Sequence, residues 1–215
     1  MHVEISEPDL LVLQALRVKG FVDTEAVAET VGLSQEDTLN MLNQFAEEGM
    51  VSYREGRMVG WMLTPEGRLC GEQLLANEVD NLGIRQEIET SYKEFSKLND
   101  AFKEICTDWQ LKPSLDGSEG EQVLNDHSDP GYDKGVIDRL VELDKQAQPV
   151  CESLARRLER FKSYGSRFTY ALEMVLRGDT EWIAKPMIES YHTIWFELHE
   201  NFFSTLGINR ASEST

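Results

Sequence analysis

The chain is short of cysteine and of positive charge, and each shortage removes a class of function. Its three cysteines, Cys70, Cys106 and Cys151, stand alone with no Cys-x-x-Cys spacing. That argues against a disulfide framework or a thiolate zinc site and fits reduced residues in a cytoplasmic protein. Lys and Arg number 21 against 39 Asp and Glu, a net charge of −18 in 215 residues. The deficit is spread evenly: residues 1–75 hold 5 basic and 13 acidic residues, which leaves 16 and 26 for the remainder. A polyanion therefore meets no basic footprint, and cationic partners are favoured. No segment approaches the roughly 20 apolar residues of a membrane span, and no basic start followed by an apolar run marks a leader. There is no Walker loop, dinucleotide glycine fingerprint or His-Glu-x-x-His, so neither a cofactor, a metal nor independent catalysis is expected.

What is present reads as a mainly α protein, with 40% apolar residues to bury one or two cores. Ser6-Glu7-Pro8-Asp9 predicts a first helix with Ser6 as N-cap and Asp9 as its reciprocal acid, carrying Leu10, Leu11, Leu13 and Leu16 and ending at Gly20. Thr24 is expected to cap a short second helix that stops at Gly32. Ser34 with Asp37 predicts the third, with Leu39, Leu42 and Phe45 as its buried face and Gly49 as its stop. Strand-like runs Met50 to Arg54 and Met58 to Leu63 flank a turn at Glu55-Gly56-Arg57. Three helices and a hairpin wing make an N-terminal winged helix over residues 1–75.

From Pro65 onward the periodicity is helical. A connecting helix is expected over 76–110, kinked or tolerated at Gly83, then a loop over 111–131 rich in Gly, Ser, Pro and acids. Helices at Tyr132 to Gln146, Pro149 to Phe161, Ser166 to Arg177 and Thr180 to Leu206 would form a helical bundle over 132–210, with Arg210 to Thr215 as a frayed tail.

Three clusters invite chemistry. On a continuous last helix Ile188, His192, Trp195, His199 and Phe202 share one stripe. Tyr191, His192, Trp195 and His199 are thus candidates to line a pocket for a carboxylate or phosphate, against the simpler reading of histidines in a polar bundle core. His192 and His199 lie about 10 Å apart along a helix, too far to share one metal ion unaided. Asp126 and His127, in the run Asn125 to Asp133 (Asn-Asp-His-Ser-Asp-Pro-Gly-Tyr-Asp), either join that pocket or serve turn chemistry, with Asp129 capping the next helix; no nucleophile elbow surrounds Ser128. Arg156, Arg157, Arg160, Lys162 and Arg167, interrupted by Glu159, form the basic patch, and Arg156 and Arg160, one turn apart on a helix, could fork onto an anion or an acidic partner. The alternative is a solvated helix face.

The pattern Leu33-Ser34, Leu42, Phe45, Gly49-Met50-Val51 and above all Leu63-Thr64-Pro65-Glu66-Gly67-Arg68 resembles the MarR-type and PadR-type winged-helix regulators over the first third of the chain. That resemblance implies DNA contacts from the outward third helix and the wing, here Gln35, Asn40, Gln44, Arg54 and Arg57. The chain departs from the family there: Ser34 to Glu48 carries Glu36, Asp37, Glu47 and Glu48 with no Lys or Arg, which disfavours a duplex. The strings Asn125 to Pro130 and Ser190 to Glu200 resemble helical segments that accompany phosphoenolpyruvate-utilising, pyruvate phosphate dikinase-like proteins, which implies a companion subunit or regulatory module.

Three functions follow as expectations. The first is a non-catalytic winged-helix accessory protein docking on a protein partner, such as a dikinase-like phosphotransferase. The second is a MarR-like, ligand-responsive, DNA-binding regulator, dimeric through its long helix. The third is an enzyme site completed by another subunit.

Overall fold

The computed structural model describes residues 3–56, 59–114 and 122–208. Among them are eight α-helices and two separate two-stranded antiparallel sheets. The chain divides into two compact units: Met1–Glu89 with Arg156–Arg160 and Phe196–Thr215, and Thr90–Ala155 with Phe161–Trp195. The tail expected from Arg210, and Arg57 and Met58 of the expected hairpin, lie outside the described residues.

The first unit opens with helices α1 (Pro8–Lys19), α2 (Thr24–Val31) and α3 (Gln35–Glu47), followed by strands β1 (Val51–Arg54) and β2 (Gly60–Leu63) and helix α4 (Pro65–Asn81). Apolar burial organises it: Val12, Leu13 and Leu16 of α1, Val27 of α2, Leu42 and Phe45 of α3, Val51 and Trp61 share one core. β1 and β2 pair from Val51 opposite Leu63 to Arg54 opposite Gly60. Val22 adds a bridge to Trp61, with N–H to carbonyl distances of 3.2 and 2.7 Å.

Caps follow the side-chain chemistry, with two corrections. Ser34 accepts from the Asp37 N–H at 3.0 Å, and its hydroxyl donates to that carboxylate at 2.6 Å, as expected. Gly49, at φ +76°, closes α3 with its N–H on the Ala46 carbonyl while Met50 N–H reaches Phe45. Ser6, however, caps nothing: α1 begins after Glu7, and the buried Ser6 hydroxyl accepts from Arg160 at 3.0 Å. The cap of α2 is Asp23, which accepts from Ala26 N–H, while the Thr24 hydroxyl takes the Trp61 indole N–H at 3.0 Å. Leu39 is also corrected. It is 42% exposed and Thr38 is buried, because the core stripe runs Thr38, Leu42, Phe45.

The Leu-Thr-Pro-x-Gly-Arg segment has a local physical reason. Thr64 N–H donates to the Met50 carbonyl, its hydroxyl bonds the Gly49 and Met50 carbonyls at 2.7 and 3.1 Å, and it accepts from Gly67 N–H at 3.0 Å. Pro65 starts the helix, where its missing N–H costs nothing. Gly67 lies so close to Met50 that a Cβ would overlap the Met50 carbonyl oxygen and stand 2.7 Å from its carbon.

The long helical run after the hairpin is two helices. α4 ends at a turn around Gly83, φ +66°, and α5 (Arg85–Gln110) begins in the first unit and continues in the second. The stretch expected as a structureless loop contains strands β3 (Leu111–Pro113) and β4 (Gln122–Leu124), paired antiparallel. The next helix, α6 (Pro130–Ala155), runs straight through the expected break at Pro149. Its buried stripe of Val136, Leu140, Leu143, Ala147, Val150 and Leu154 outweighs the ~3 kcal/mol that an interior proline costs. Asp129 caps it, accepting from Gly131 and Tyr132 N–H groups at 2.9 and 3.1 Å.

A 3-10 turn at Glu159–Phe161 leads to α7 (Lys162–Leu176), which packs on α6, and a second one spans Thr180–Trp182. The expected helix from Thr180 to Leu206 is confined to α8 (Tyr191–Leu206). Pro186, with Met187 at φ +66°, interrupts it, and Ser190 restarts the chain by accepting from Thr193 N–H at 3.3 Å. Among the described residues no helix is long and apolar enough to cross a membrane.

Candidate functional site

The outward face of α3 is built by its caps and its core stripe. With Thr38, Leu42 and Phe45 turned inward, Gln35, Glu36, Asp37, Leu39, Asn40, Asn43, Gln44, Glu47 and Glu48 are exposed. Glu36 and Asp37 in the first turn suit the helix dipole. Glu47 and Glu48 at the other end oppose it, with no basic residue in the last turn, at a cost of about 0.3–1 kcal/mol each. Gln44 Nε2 donates to Glu48 Oε1 at 2.9 Å, which occupies part of an amide that adenine would need. Arg54 is exposed at the end of β1, and Tyr53 beside it is 48% exposed with its ring 4.8 Å from Trp61.

The arginines expected as one basic patch are used separately. α6 ends at Ala155, so Arg156 and Arg160 do not share a helix. The Arg160 side chain is 4% exposed, paired with Glu78 and bonded to Ser6 and to Thr205 at 3.2 Å. Arg157 pairs with Glu87. Arg167 holds Glu189 at 2.7 Å and lies over the Tyr164 ring. Arg156 is exposed.

Tyr191, His192 and Trp195 belong to the second unit, and the first and third are core residues. Trp195 stacks on Phe95 and Phe102, with ring centroids 4.4 and 4.5 Å away, and its indole N–H donates to Asn99 at 3.1 Å. The fully buried Tyr191 hydroxyl donates to Asp144 Oδ1 at 3.0 Å, where Gln148 also donates. Burial holds the Tyr191 phenol and the Asp144 carboxyl above their ordinary pKa values, the Gln148 and Tyr191 bonds opposing the shift at Asp144. Burial also pushes the Cys151 thiol up to about 12. His192 keeps an exposed edge, yet partial desolvation beside Phe102 lowers its pKa. His199 lies in the first unit, 4.3 Å from the Phe203 ring.

Asp126 and His127 sit together in the second unit, in a cluster that includes residues sequence reasoning did not select. Asp126 takes Lys112, the Ser128 hydroxyl at 2.7 Å and the Ser128 N–H, which hold its carboxyl well below the usual range. His127, at φ +57°, lies 4.4 Å from the Trp109 ring, with Nδ1 3.0 Å from Asp133 Oδ2. Buried Asn125 bonds Asp133 Oδ1 at 2.8 Å. Asn125 and Asp133 belong to the run Asn125 to Asp133 that the sequence offered, whereas Lys112 and Trp109 were not selected.

A second missed group is the polar face of α8 in the first unit. Glu197, Glu200, Asn201, Ser204 and Thr205 are all buried there. Lys19 meets Glu197 at 3.1 Å, Arg17 meets Glu200 at 2.7 Å, and Gln14 donates to Asn201 and Ser204, both at 2.9 Å. Comparison of the chain with protein-family profiles, curated proteins and solved structures finds no match.

Proposed function

We propose that the first unit is a winged helix whose third helix docks on a protein, and that the chain acts as a non-catalytic accessory or regulatory module. One observation carries this reading. The exposed face of α3 bears Glu36, Asp37, Glu47 and Glu48, two of them where they cost helix stability, around an exposed Leu39. Carboxylates flanking an apolar residue suit a partner that offers Lys or Arg around an apolar contact, and they repel phosphates. A phosphotransferase of the phosphoenolpyruvate-utilising, dikinase-like class is the partner to which the second-half resemblance leads.

The second reading is a ligand-responsive DNA-binding regulator. Exposed Gln35 and Asn40, able to pair with adenine edges, and exposed Arg54 favour it.

The deciding experiment combines cross-linking from α3 in the native host with selection from a random duplex library. The expected result is one stoichiometric protein cross-linked to α3, lost in the Glu36→Lys/Glu47→Lys variant, and no enriched duplex. An enriched duplex whose binding falls on Asn40→Ala would establish the regulator instead.

A further inference from the structure

The groups around His127 hold its ring in one tautomer and leave its outer nitrogen free. The His127 N–H donates to Asn125 Oδ1 at 3.1 Å, which fixes the orientation of that amide. The two hydrogens on Asn125 Nδ2 then go to the Trp109 carbonyl at 3.2 Å and Asp133 Oδ1 at 2.8 Å. None remains for His127 Nδ1, 3.2 Å away. Nδ1 therefore carries its own hydrogen and donates it to Asp133 Oδ2 at 3.0 Å. Nε2 keeps the lone pair, and no described residue bonds it. The side chain is 44% exposed, with one side against Trp109.

An imidazole oriented by a carboxylate can serve as a base for a neighbouring nucleophile, as a metal ligand, or as a nucleophile itself. The adjacent hydroxyl excludes the first within this chain, because Ser128 donates to Asp126. For the second, no group of three His, Cys, Asp or Glu forms a ligand set among the described residues. Nucleophilic attack by Nε2 remains. Exposure selects the group it can hold: an acyl-imidazole is hydrolysed quickly in water, whereas a phosphoryl-imidazole persists.

We propose that His127 is a phosphoryl-accepting histidine, which takes the group on Nε2 from a phosphoramidate or acyl phosphate donor. The Nε2 lone pair forms the N–P bond as the bond from phosphorus to the leaving amine or carboxylate breaks, and the leaving group departs with that electron pair. The ring becomes an imidazolium that retains its Nδ1 hydrogen, and Asp133 balances the new charge. Asp133 is a positioning residue. The proposal does not depend on α3, and a small donor tests it without any partner.

The full-length protein is incubated with potassium phosphoramidate, from which ammonia leaves, and the acid-labile product is followed by phosphorus NMR and located by mass spectrometry. His127 is expected to be labelled ahead of His192 and His199, His127→Gln to abolish that first event, and Ser128→Ala to leave it unchanged. Asp133→Asn presents an N–H to Nδ1 and moves the ring hydrogen to Nε2, so labelling slows by about tenfold or more. Long-range proton–nitrogen NMR of the unmodified protein, which needs no variant, is expected to show a hydrogen on Nδ1. A hydrogen on Nε2, earlier labelling of another histidine, or an unchanged rate in a folded Asp133→Asn variant would overturn the assignment.

Discussion

Two glycines on α4 give opposite expected responses to the same methyl group. Gly67→Ala places a Cβ on the Met50 carbonyl, 2.7 Å from its carbon and 3.1 Å from its Cα. The obstacle is backbone, held by the Thr64 N–H and hydroxyl on that carbonyl, so it cannot rotate aside. Relief requires the start of α4 to move off the end of the hairpin, at an overpacking cost of about 1–3 kcal/mol. The gain in helix propensity, up to about 1 kcal/mol, offsets only part of it. At Gly71 the nearest atom to a Cβ is Leu13 Cβ at 3.5 Å, an ordinary contact. Gly71→Ala should therefore keep the propensity gain of roughly 0.5–1 kcal/mol. In urea titrations followed by circular dichroism the two variants should fall on opposite sides of wild type. For a chain of this size Gly67→Ala should melt about 2–4 °C lower, taking its net cost as about 1 kcal/mol. A Gly67→Ala protein as stable as wild type would refute the close approach, and with it the account of why Thr-Pro-x-Gly closes the hairpin onto the helix.

Two further perturbations test buried charge. Glu78→Ala takes the Glu78 carboxylate from the Arg160 guanidinium, 4% exposed, and should cost about 3–5 kcal/mol in urea unfolding, while Glu78→Leu with Arg160→Met should recover most of that loss; a cost near zero would show that the pair is solvated. Asp144 gives a pH signature. Burial raises its carboxyl above 3.8 despite the Gln148 and Tyr191 bonds, so the folded chain keeps a proton that the unfolded chain has lost. Its contribution to stability is full below 3.8 and is lost as the pH rises through the folded value. Asp144→Asn should flatten that decline, gaining on wild type as the pH climbs, and parallel urea-midpoint profiles would contradict the cause assigned.

What the sequence made legible was local. Ser34 with Asp37, Gly49, Asp129 before Pro130, and Thr64-Pro65 announce themselves because each satisfies backbone groups within four residues. The single-residue errors come from competition between such signals and packing. Pro149 reads as a stop, yet neighbours buried on both sides carry the helix through it. The helix expected over Thr180 to Leu206 passes over Pro186, where no equivalent burial supports Lys185 to Met187, all exposed, and the chain breaks. The partners of Arg160, Glu197 and Glu200 were not legible at all. They lie far off in sequence: Glu78 for Arg160, Lys19 for Glu197, Arg17 for Glu200. A charged residue whose partner is distant looks like surface in any window. The run Asn125 to Asp133 was legible as a cluster, but its contacts with Lys112 and Trp109 were not, since the chain brings those residues beside Asp126 and His127 only in the fold.

These ion pairs also sharpen the electrostatic argument about α3. In the first unit Arg17, Lys19, Arg85, Arg157 and Arg160 all stand on carboxylates of their own unit. Each such cation is spent internally, and its charge is cancelled at the distance of an approaching ligand. Among the unit's other described basic residues Arg54 and Arg68 make no ion pair and Arg156 is exposed, against four acids on the exposed face of α3. A duplex reader with slopes typical of specific binding neutralises roughly 6–10 phosphates, and these three arginines against four carboxylates fall far short. The same imbalance favours encounter with a basic protein surface. On the proposed docking through α3, association should therefore slow steeply as salt rises while dissociation changes little, because steering charges act on the approach rather than on the closed contact.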